Sequence, residues 1–183
     1  MKMNEYAPFQ KRLVDFIHRY LDEVKQLASS SPVFFRERRD DTGFLEPTLF
    51  AGVSILLPIL FYGFLTAPIT LGVSLLFILP SLLYGVGLLF VSAIILHGLV
   101  RLFGGHDKFE VTYRSVAYAC VASYCWLIPI PFVNLILFAA LFCTILYFAI
   151  REVHELSPQQ TSILLIAPAF LILLTGSILT MIT

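Results

Sequence analysis

HGLVRLFGGHDKFEVTYR, residues 97–114, is the one polar stretch inside an otherwise nearly uncharged block from Thr48 to Ile150. Its paired glycines, Gly104 and Gly105, predict the end of one long apolar helix and the freedom to start the next. Its charged side chains mark one side of a membrane, because hydrocarbon excludes charge. The stretch therefore divides the chain into membrane-spanning segments and indicates how they are oriented.

The composition of the chain indicates its class. Of the 183 residues, 58% are hydrophobic and 13% are charged, and the mean hydropathy is +0.88. A soluble domain carries about 25% charged residues, whereas apolar runs of about 18 or more residues, which recur here, indicate transmembrane helices. The formal net charge is zero, so no overall field attracts nucleic acid. We predict an all-α polytopic membrane protein with no nucleic-acid partner.

Five transmembrane helices are predicted, each with roughly the 17–25 residues that ~30 Å of hydrocarbon requires. They are expected at about Thr48–Ala67, Pro80–Phe103, Val111–Ile128, Phe132–Ile150 and Thr161–Ile182. The apolar segment Ile69–Leu79 would make the second helix too long for a bilayer, so we expect an interfacial or partly embedded connection there. A short sixth span is the alternative.

The positive charges favour five spans. Eight of the 12 Lys and Arg residues precede the first span. With five spans the other four fall on the same side: Arg101, Lys108, Arg114 and Arg151. Because Lys and Arg concentrate on the cytoplasmic side, the N-terminus is predicted to be cytoplasmic and the C-terminus outside.

The segment before the first span predicts a cytoplasmic amphipathic helix at residues 9–27. Apolar residues recur at steps of three and four, opposite a charged face: Phe9, Leu13, Ile17, Tyr20, Val24 and Leu27 against Lys11, Arg12, Asp15, Arg19, Asp22, Glu23 and Lys25. Two interpretations stay open. The apolar face packs on the protein's own membrane domain or in the lipid interface, or it docks another membrane protein or a second copy.

A break is predicted after this helix, at Ser29–Pro32, because proline cannot continue a helix. Ser31 is a candidate N-cap with Pro32 at the first position of a new helix. The stub that follows, Val33–Arg39, is expected to lie flat, with its phenylalanines in lipid and its arginines in water.

Small residues recur at four-residue spacing in the third span, at Ser115, Ala119 and Ser123. Small residues on one face let helix backbones approach closely. We therefore expect this span in the middle of the bundle.

No pattern predicts catalysis or a cofactor. The chain lacks a Gly-x-Ser-x-Gly nucleophile elbow and a phosphate-binding glycine loop. A metal site built from His97, His106 and His154 would lack paired-ligand spacing such as His-Glu-x-x-His. Cys120, Cys125 and Cys143 all lie in apolar runs and are predicted to be packing residues. We predict no catalytic residue, no metal ion and no cofactor.

The candidate functional site is a polar network on the inner face of the membrane. It comprises His97, Arg101, Glu110, Tyr113, Arg114, Arg151, Glu152, His154 and Glu155. His97 and Arg101 lie one turn apart at the end of the second span, and Arg151 and Glu155 do the same after the fourth. Either an ion-pair network that ties the loops together or a binding site for lipid headgroups or a partner peptide fits this set.

His97 is the deepest ionisable residue of the network and should have a partner, because an unpaired polar group in hydrocarbon is costly. The candidates for that partner are Tyr113, Tyr118, Arg151 and His154. Arg114, at the membrane edge, is expected to pair with a carboxylate. The candidates for that carboxylate are Glu110, Glu152 and Glu155.

Several motifs, taken in order, resemble the membrane domain of the Yip family, named for Ypt-interacting proteins. The central motif is His97-x-x-x-Arg101-x-x-Gly104-Gly105, followed by Phe109, Tyr113-Arg114 and Tyr118. The others are Pro32-x-Phe-Phe35, Glu46-Pro47 and Phe50 before the first span, Pro129 in the outer turn, and Arg151-Glu-Val-His154-x-Leu-Ser157 after the fourth. The resemblance is closer to the prokaryotic branch of the family. Thr161 departs from it, since a small residue is usual there.

That resemblance implies a five-span membrane domain at residues 32–183, preceded by a cytoplasmic helix and linker at residues 1–31. For a prokaryotic member it implies the cytoplasmic, or inner, membrane. Eukaryotic relatives bind Rab-type GTPases and shape vesicle traffic, and the family defines no enzyme chemistry.

The predicted function is that of a non-enzymatic membrane-organising or partner-binding factor, with membrane lipid and other membrane proteins as partners. The alternative is scramblase-like lipid handling or transport of a small solute. Ion-coupled carriers place ionisable groups near the bilayer midplane, but the residues expected there are uncharged: Pro58, Ser92, Cys120 and Cys143. Lipid handling needs only a polar groove open to one leaflet.

Overall fold

The computed structural model describes the backbone of residues 7–166 and 168–170, and the side chains of residues 10–61, 78–130, 132–166 and 168–170. Within these ranges every regular element is a helix. The elements are α1 (Ala7–Glu37), α2 (Leu45–Leu102), α3 (Phe109–Ala119), a 3-10 helix (Cys120–Leu127) and α4 (Pro131–His154). A further helical segment covers residues 158–166 and 168–170.

A kink divides α1 at Ser30, whose φ of −159° and ψ of 66° are not helical. Pro32 lacks a backbone N–H and so cannot bond the preceding turn. The Ser31 hydroxyl donates instead to the Leu27 carbonyl, 2.5 Å away. The predicted break is confirmed, but the Ser31 side chain bonds backward and does not cap the second half.

The 58 residues of α2 form two arms that lie side by side. The rings of Phe44 and Phe90 are 6.2 Å apart, and a Cβ on Gly85 would lie 3.5 Å from Ile55. A straight helix would separate Phe44 from Phe90 by about 69 Å at 1.5 Å per residue. The chain therefore reverses direction within α2, and the arms Leu45–Phe61 and Ile78–Leu102 run antiparallel. Of the predicted connection at residues 69–79, the side chains of residues 69–77 lie outside the described ones.

The Gly-Gly pair ends α2 as predicted. Gly104 has a φ of +93°, the left-handed conformation that glycine adopts most readily. The Gly105 N–H donates to the Val100 carbonyl over 2.9 Å, and the Gly104 N–H donates to Arg101 over 3.2 Å. These two bonds form a Schellman motif. A Cβ on Gly105 would collide with the Val100 side chain. The backbone conformation therefore favours glycine at 104, and the close packing favours it at 105.

The segment from α3 through the 3-10 helix lies in the middle of the bundle, which confirms its predicted position. Every residue of α3 from Val111 to Ala119 is buried. The prediction of one α-helix from 111 to 128 is wrong, because the α-helix ends at Ala119 and continues as the tighter 3-10 helix. Side-chain bonds anchor this tighter segment. Ser123 donates to the Ser54 carbonyl over 2.6 Å, and the Tyr124 hydroxyl bonds that of Tyr20.

α1 contributes directly to the hydrophobic core. Tyr20 and Leu27 are buried before the kink, and Phe34 and Phe35 are buried after it, with exposed fractions of 0% and 2%. Phe34 meets Tyr118 edge-on at 4.8 Å. The expectation that these phenylalanines lie in lipid is therefore wrong: the ring of Tyr118 covers them, and packing against it removes their apolar surface from the surroundings. The proposed boundary between residues 1–31 and 32–183 stays a prediction.

Two helices, Ile78–Leu102 and Phe132–His154, are long and apolar enough to cross a membrane, and Leu45–Phe61 is a shorter apolar helix. These coincide with the predicted second, fourth and first spans. Most of the fifth predicted span, Thr161–Ile182, lies outside the described residues. Five spans therefore remain a prediction, whereas the all-helical fold is confirmed.

Candidate functional site

The polar residues meet at one end of the bundle, here called the polar end. It is formed by the end of α1, the start and the end of α2, the loop at residues 103–108, the start of α3 and the end of α4. The Schellman motif turns the chain there, so that α3 returns beside α2. Two histidines from different helices and the arginines of α1 thereby come together.

His97 and His154 are joined through the buried hydroxyl of Thr112. The His97 Nδ1 lies 2.9 Å from the Thr112 Oγ1, and the His154 Nε2 lies 3.0 Å from the same oxygen. Thr112 is fully buried. His154 was one of the predicted partners of His97, but it is reached through Thr112, which supplies the direct contact.

The proton positions in this chain follow from its donors. The Arg101 Nε donates to the His97 Nε2 over 3.4 Å, so a neutral His97 carries its proton on Nδ1 and donates it to Thr112. With the Thr112 hydroxyl donating to the His154 Nε2, a neutral His154 carries its proton on Nδ1. That nitrogen is buried and has no hydrogen-bond partner among the described residues. The Asp107 Oδ2 lies 3.8 Å away from it.

Arg39 connects the hydrogen-bonded series His97–Thr112–His154 to the end of α1 through Asp107. Its guanidinium lies 3.4 Å from the Asp107 Oδ2 and 2.7 Å from the Glu155 Oε1. The hydrogen bond to Glu155 raises the pKa of Arg39, so the arginine stays charged. Arg36, one turn earlier, contacts the Glu152 carboxylate through both Nε and an NH2 group, at 3.1 and 2.7 Å. The two arginines hold the end of α1 against the end of α4.

Arg114 pairs with backbone and not with a carboxylate. Its side chain is 4% exposed, and it donates to the Arg38 carbonyl at 2.7 Å and to the Asp41 carbonyl. The predicted pairing with Glu110, Glu152 or Glu155 is wrong, because Arg36 and Arg39 bind the last two. Arg114 instead closes the turn between α1 and α2, whose carbonyl groups point at it.

Arg38 and Tyr113 fix the rest of the polar end. Arg38 lies over the Phe34 ring at 4.0 Å and 3.4 Å from Glu23. Burial raises the pKa of the Glu23 carboxyl, and the charge of Arg38 opposes that shift. The Tyr113 hydroxyl bonds Thr48 over 2.6 Å, which attaches α3 to the first arm of α2.

The structure brings together seven of the nine predicted site residues in these bonds: His97, Arg101, Tyr113, Arg114, Glu152, His154 and Glu155. Glu110 and Arg151 take no part in them within the described residues, and Arg151 is exposed. The prediction missed Thr112 and the arginines of α1. The one local signal for Thr112 was its place in α3 beside two predicted site residues, Tyr113 and Arg114.

The residue types Thr112, His154 and Asp107 are those of a hydrolase triad, yet the arrangement offers no reactive nucleophile. A triad nucleophile must reach a substrate carbonyl. Thr112 is 0% exposed, and its hydroxyl is bonded to a histidine on each side. Among the described residues, no three His, Cys, Asp or Glu side chains are placed to hold a metal ion. The hydrogen bonds of Thr112 therefore link α3 to α2 and α4.

Within the described residues, two apolar helices are long enough to cross a bilayer and polar side chains meet at one end of the bundle, an arrangement typical of helical membrane proteins. The particular family follows from the comparison with family models. The chain belongs to the Yip1 domain family, whose model matches residues 26–179 and so includes the kink of α1, the polar end and α4. Neither the curated proteins nor the solved structures contain a significant match. The family is not known as an enzyme family.

Proposed function

We propose that this protein is a non-enzymatic membrane factor that holds another membrane protein through α1. The observation that carries the proposal is the state of α1, which is fixed to the bundle on one face and leaves an apolar stripe exposed on another. The exposed stripe comprises Leu13 at 47%, Val14 at 50%, Ile17 at 46% and Leu21 at 56%. Large apolar side chains grouped in this way mark a surface that contacts a partner or lipid, and the test below distinguishes the two.

The fixed face of α1 is attached near its middle and at its C-terminal end. The Tyr20 hydroxyl bonds Ser54 over 2.8 Å, and its ring lies 4.9 Å from that of Phe50. At the C-terminal end, Arg36 binds Glu152 in the last turn of α4, and Arg39 binds Glu155 just after it. A helix that is already ordered loses little entropy when a partner binds. The attachment therefore favours a role as a preformed docking element.

Photo-crosslinking in native membranes tests this proposal. A photoreactive residue at Ile17 should give protein adducts, whereas the same residue at Ile136, which is 59% exposed on the apolar helix α4, should give mainly lipid adducts. Adducts to lipid alone at both positions would overturn the proposal.

The orientation belongs to the same proposal, with the N-terminus and the polar end in the cytoplasm. The support is that a five-span topology puts all 12 Lys and Arg residues on one side of the membrane. Lys and Arg concentrate on the cytoplasmic side. Reporters that work on only one side of the membrane should place residues 106 and 156 in the cytoplasm and residue 183 outside. A reporter at residue 183 that is active only in the cytoplasm would contradict five spans.

Lipid handling is a second candidate, favoured by a cleft between the kink of α1 and α4. The cleft has a volume of about 470 Å³, and hydroxyl residues form part of its lining: Ser29, Ser30, Ser31 and Thr144. Thr144 precedes the end of α4 by ten residues, about 15 Å, which is near the middle of that helix. A polar notch at this depth could admit a lipid headgroup.

A liposome assay of lipid movement between leaflets tests the second candidate. Purified protein should accelerate movement of a headgroup-labelled lipid, and Thr144→Leu should abolish the acceleration. Ser162→Leu, at an exposed position after α4, is the matched control. Equal rates for protein-containing and empty liposomes would remove this candidate.

A further inference from the structure

We propose that the cleft between the kink of α1 and α4 binds a membrane lipid whose headgroup is uncharged and carries a free hydroxyl group, as in a diacylglycerol. This inference rests on the second candidate of the proposed function, lipid handling, since it names the class of lipid for the same cleft. Three features of the cleft select that class: its position on α4, its uncharged lining and the direction of its hydrogen bonds.

The cleft opens on the side of α4 that faces away from the bundle. Leu141 and Thr144 line it, and both are exposed. Both also lie near the middle of Phe132–His154, a helix that is long and apolar enough to cross a membrane. When this helix spans a bilayer, its middle lies in the hydrocarbon. The molecules that reach the cleft from there are therefore lipids.

The lining of the cleft is uncharged. Among the described residues that form it, none is a Lys, Arg, His, Asp or Glu, and aliphatic or aromatic side chains make up much of the wall: Val24, Leu27, Val121, Leu141, Ile145 and Phe148. Such a wall suits an acyl chain. A phosphate or ammonium group would lose its water there without meeting an opposite charge, which is costly. The lining therefore selects against charged headgroups.

Three hydroxyl groups of the cleft give their protons to their own helices. Ser31 donates to the Leu27 carbonyl over 2.5 Å, and Thr144 donates to the Ala140 carbonyl over 2.7 Å. Ser29 also donates to a carbonyl of α1. A hydroxyl oxygen that has donated its proton keeps lone pairs that accept hydrogen bonds. These groups therefore offer a ligand acceptors and not donors.

The kink of α1 adds a further acceptor. Pro32 lies inside the helix and has no N–H, so the Ala28 carbonyl, four residues earlier, lacks the donor that an unbroken helix supplies. Ala28 and Pro32 both line the cleft. The Ser31 hydroxyl does not replace that donor, since it bonds Leu27. An alcohol headgroup matches this site, because it donates a proton and carries no charge.

Competitive photolabelling of the full-length protein in phosphatidylcholine nanodiscs tests the inference. The probe is a diacylglycerol with a photoreactive group in one acyl chain, and the labelled peptides are identified by mass spectrometry. Labels should concentrate on residues 24–32 and 141–148, which include most of the cleft lining. Labels spread evenly over the exposed residues of α4 and of the helix Ile78–Leu102 would indicate bulk lipid contact and overturn the inference.

The competitors share two oleoyl chains and differ in the headgroup. Dioleoylglycerol should compete at about tenfold lower concentration than its methyl ether, which has no hydroxyl proton to donate. Dioleoylphosphatidic acid and the analogue with a trimethylammonium group in place of the hydroxyl should both compete more weakly than dioleoylglycerol. Equal competition by the methyl ether, or stronger competition by either charged lipid, would overturn the inference.

Two substitutions remove the acceptors separately. Thr144→Val keeps the shape of the side chain without its hydroxyl, and Pro32→Ala supplies an N–H for the Ala28 carbonyl. Each should lower labelling of the cleft by about fivefold. Ser162→Ala is the matched control, because Ser162 is exposed and also donates to a carbonyl of its own helix, over 2.8 Å. Labelling that is unchanged in both cleft variants would overturn the inference.

The liposome assay of lipid movement separates this inference from the candidate on which it rests. Labelling of the cleft with the expected headgroup preference, but without lipid movement, would keep this inference and remove the lipid-handling candidate. Lipid movement that Thr144→Leu abolishes, with equal competition by dioleoylglycerol and its methyl ether, would keep the candidate and overturn this inference.

Discussion

Charged side chains occur both at the polar end of the bundle and on the outward face of α1, which comprises the exposed residues between Lys11 and Asp22. They are bonded within the protein at the first place and exposed at the second. At the polar end, Arg36, Arg39 and Arg114 each meet a carboxylate or a backbone carbonyl within the protein. On the outward face of α1, Lys11 and Asp22 are exposed and take part in none of the described bonds. The difference teaches that charged side chains in this protein attach helices to one another at the polar end and stay exposed on α1.

If that contrast holds, substitutions at the polar end should lower stability in proportion to the burial of the side chain, and substitutions of the exposed residues of α1 should not. Each is measured as the change in free energy of unfolding in detergent micelles.

Arg114→Met should have the largest effect. Arg114 is 4% exposed and bonds two backbone carbonyls. Hydrogen bonds from charged groups contribute ~1.5–3 kcal/mol each, so the loss should be about 3–6 kcal/mol. Arg151→Met is the matched control, at an exposed position on α4, and should change stability by less than about 0.5 kcal/mol. Equal stability of the two variants would show that the bonds of Arg114 at the polar end do not stabilise the fold.

Thr112→Val should follow, at about 2–4 kcal/mol, because it leaves His97 and His154 each without the hydroxyl they share. Thr112→Ser keeps the hydroxyl and should cost less than half as much. Nitrogen NMR of the parent should find the neutral ring of each histidine protonated on Nδ1. A proton on the His154 Nε2 would contradict the proposed direction of the chain.

Gly105→Ala should cost about 1–3 kcal/mol, the usual range for overpacking, because its Cβ would collide with Val100. Gly98→Ala, in the same helix, has open space around its Cβ position and should stabilise by up to about 1 kcal/mol through helix propensity. A similar effect for both would mean that the loop after α2 adapts freely.

Much of this fold could be predicted from local patterns. The helix break before Pro32 follows from a missing N–H, and the end of α2 follows from Gly104 and Gly105; both chemical causes lie within a few residues. The position of α3 in the bundle followed from small residues at Ser115 and Ala119, because close helix packing needs small side chains.

The rest depended on contacts that are distant in sequence. Arg114 was expected to bind a carboxylate, yet the carbonyls at Arg38 and Asp41 occupy it, more than 70 residues away. The burial of Phe34 depended on Tyr118, and amphipathic stubs in lipid and against protein have the same sequence pattern. Thr112 was missed because a hydroxyl residue in a helix more often bonds its own backbone, as Ser115 does.

The smallest expected effect concerns the ion pairs at two attachments of α1, one near its middle and one near its C-terminal end. Arg19 and Glu46 form an ion pair of 2.8 Å with exposed fractions of 65% and 69%, whereas Glu152, the partner of Arg36, is only 18% exposed. Exposed pairs contribute about 0–1 kcal/mol, so a double-mutant cycle for Arg19→Ala and Glu46→Ala should give a small coupling energy that disappears at ~1 M salt. The same cycle for Arg36→Ala and Glu152→Ala should give a larger energy that falls less in salt, because the partly buried carboxylate is less screened and is bound through two nitrogens. A larger coupling energy for Arg19 and Glu46 than for Arg36 and Glu152 would mean that α1 is held mainly by its exposed ion pair. The polar end would then not be the stronger attachment of α1.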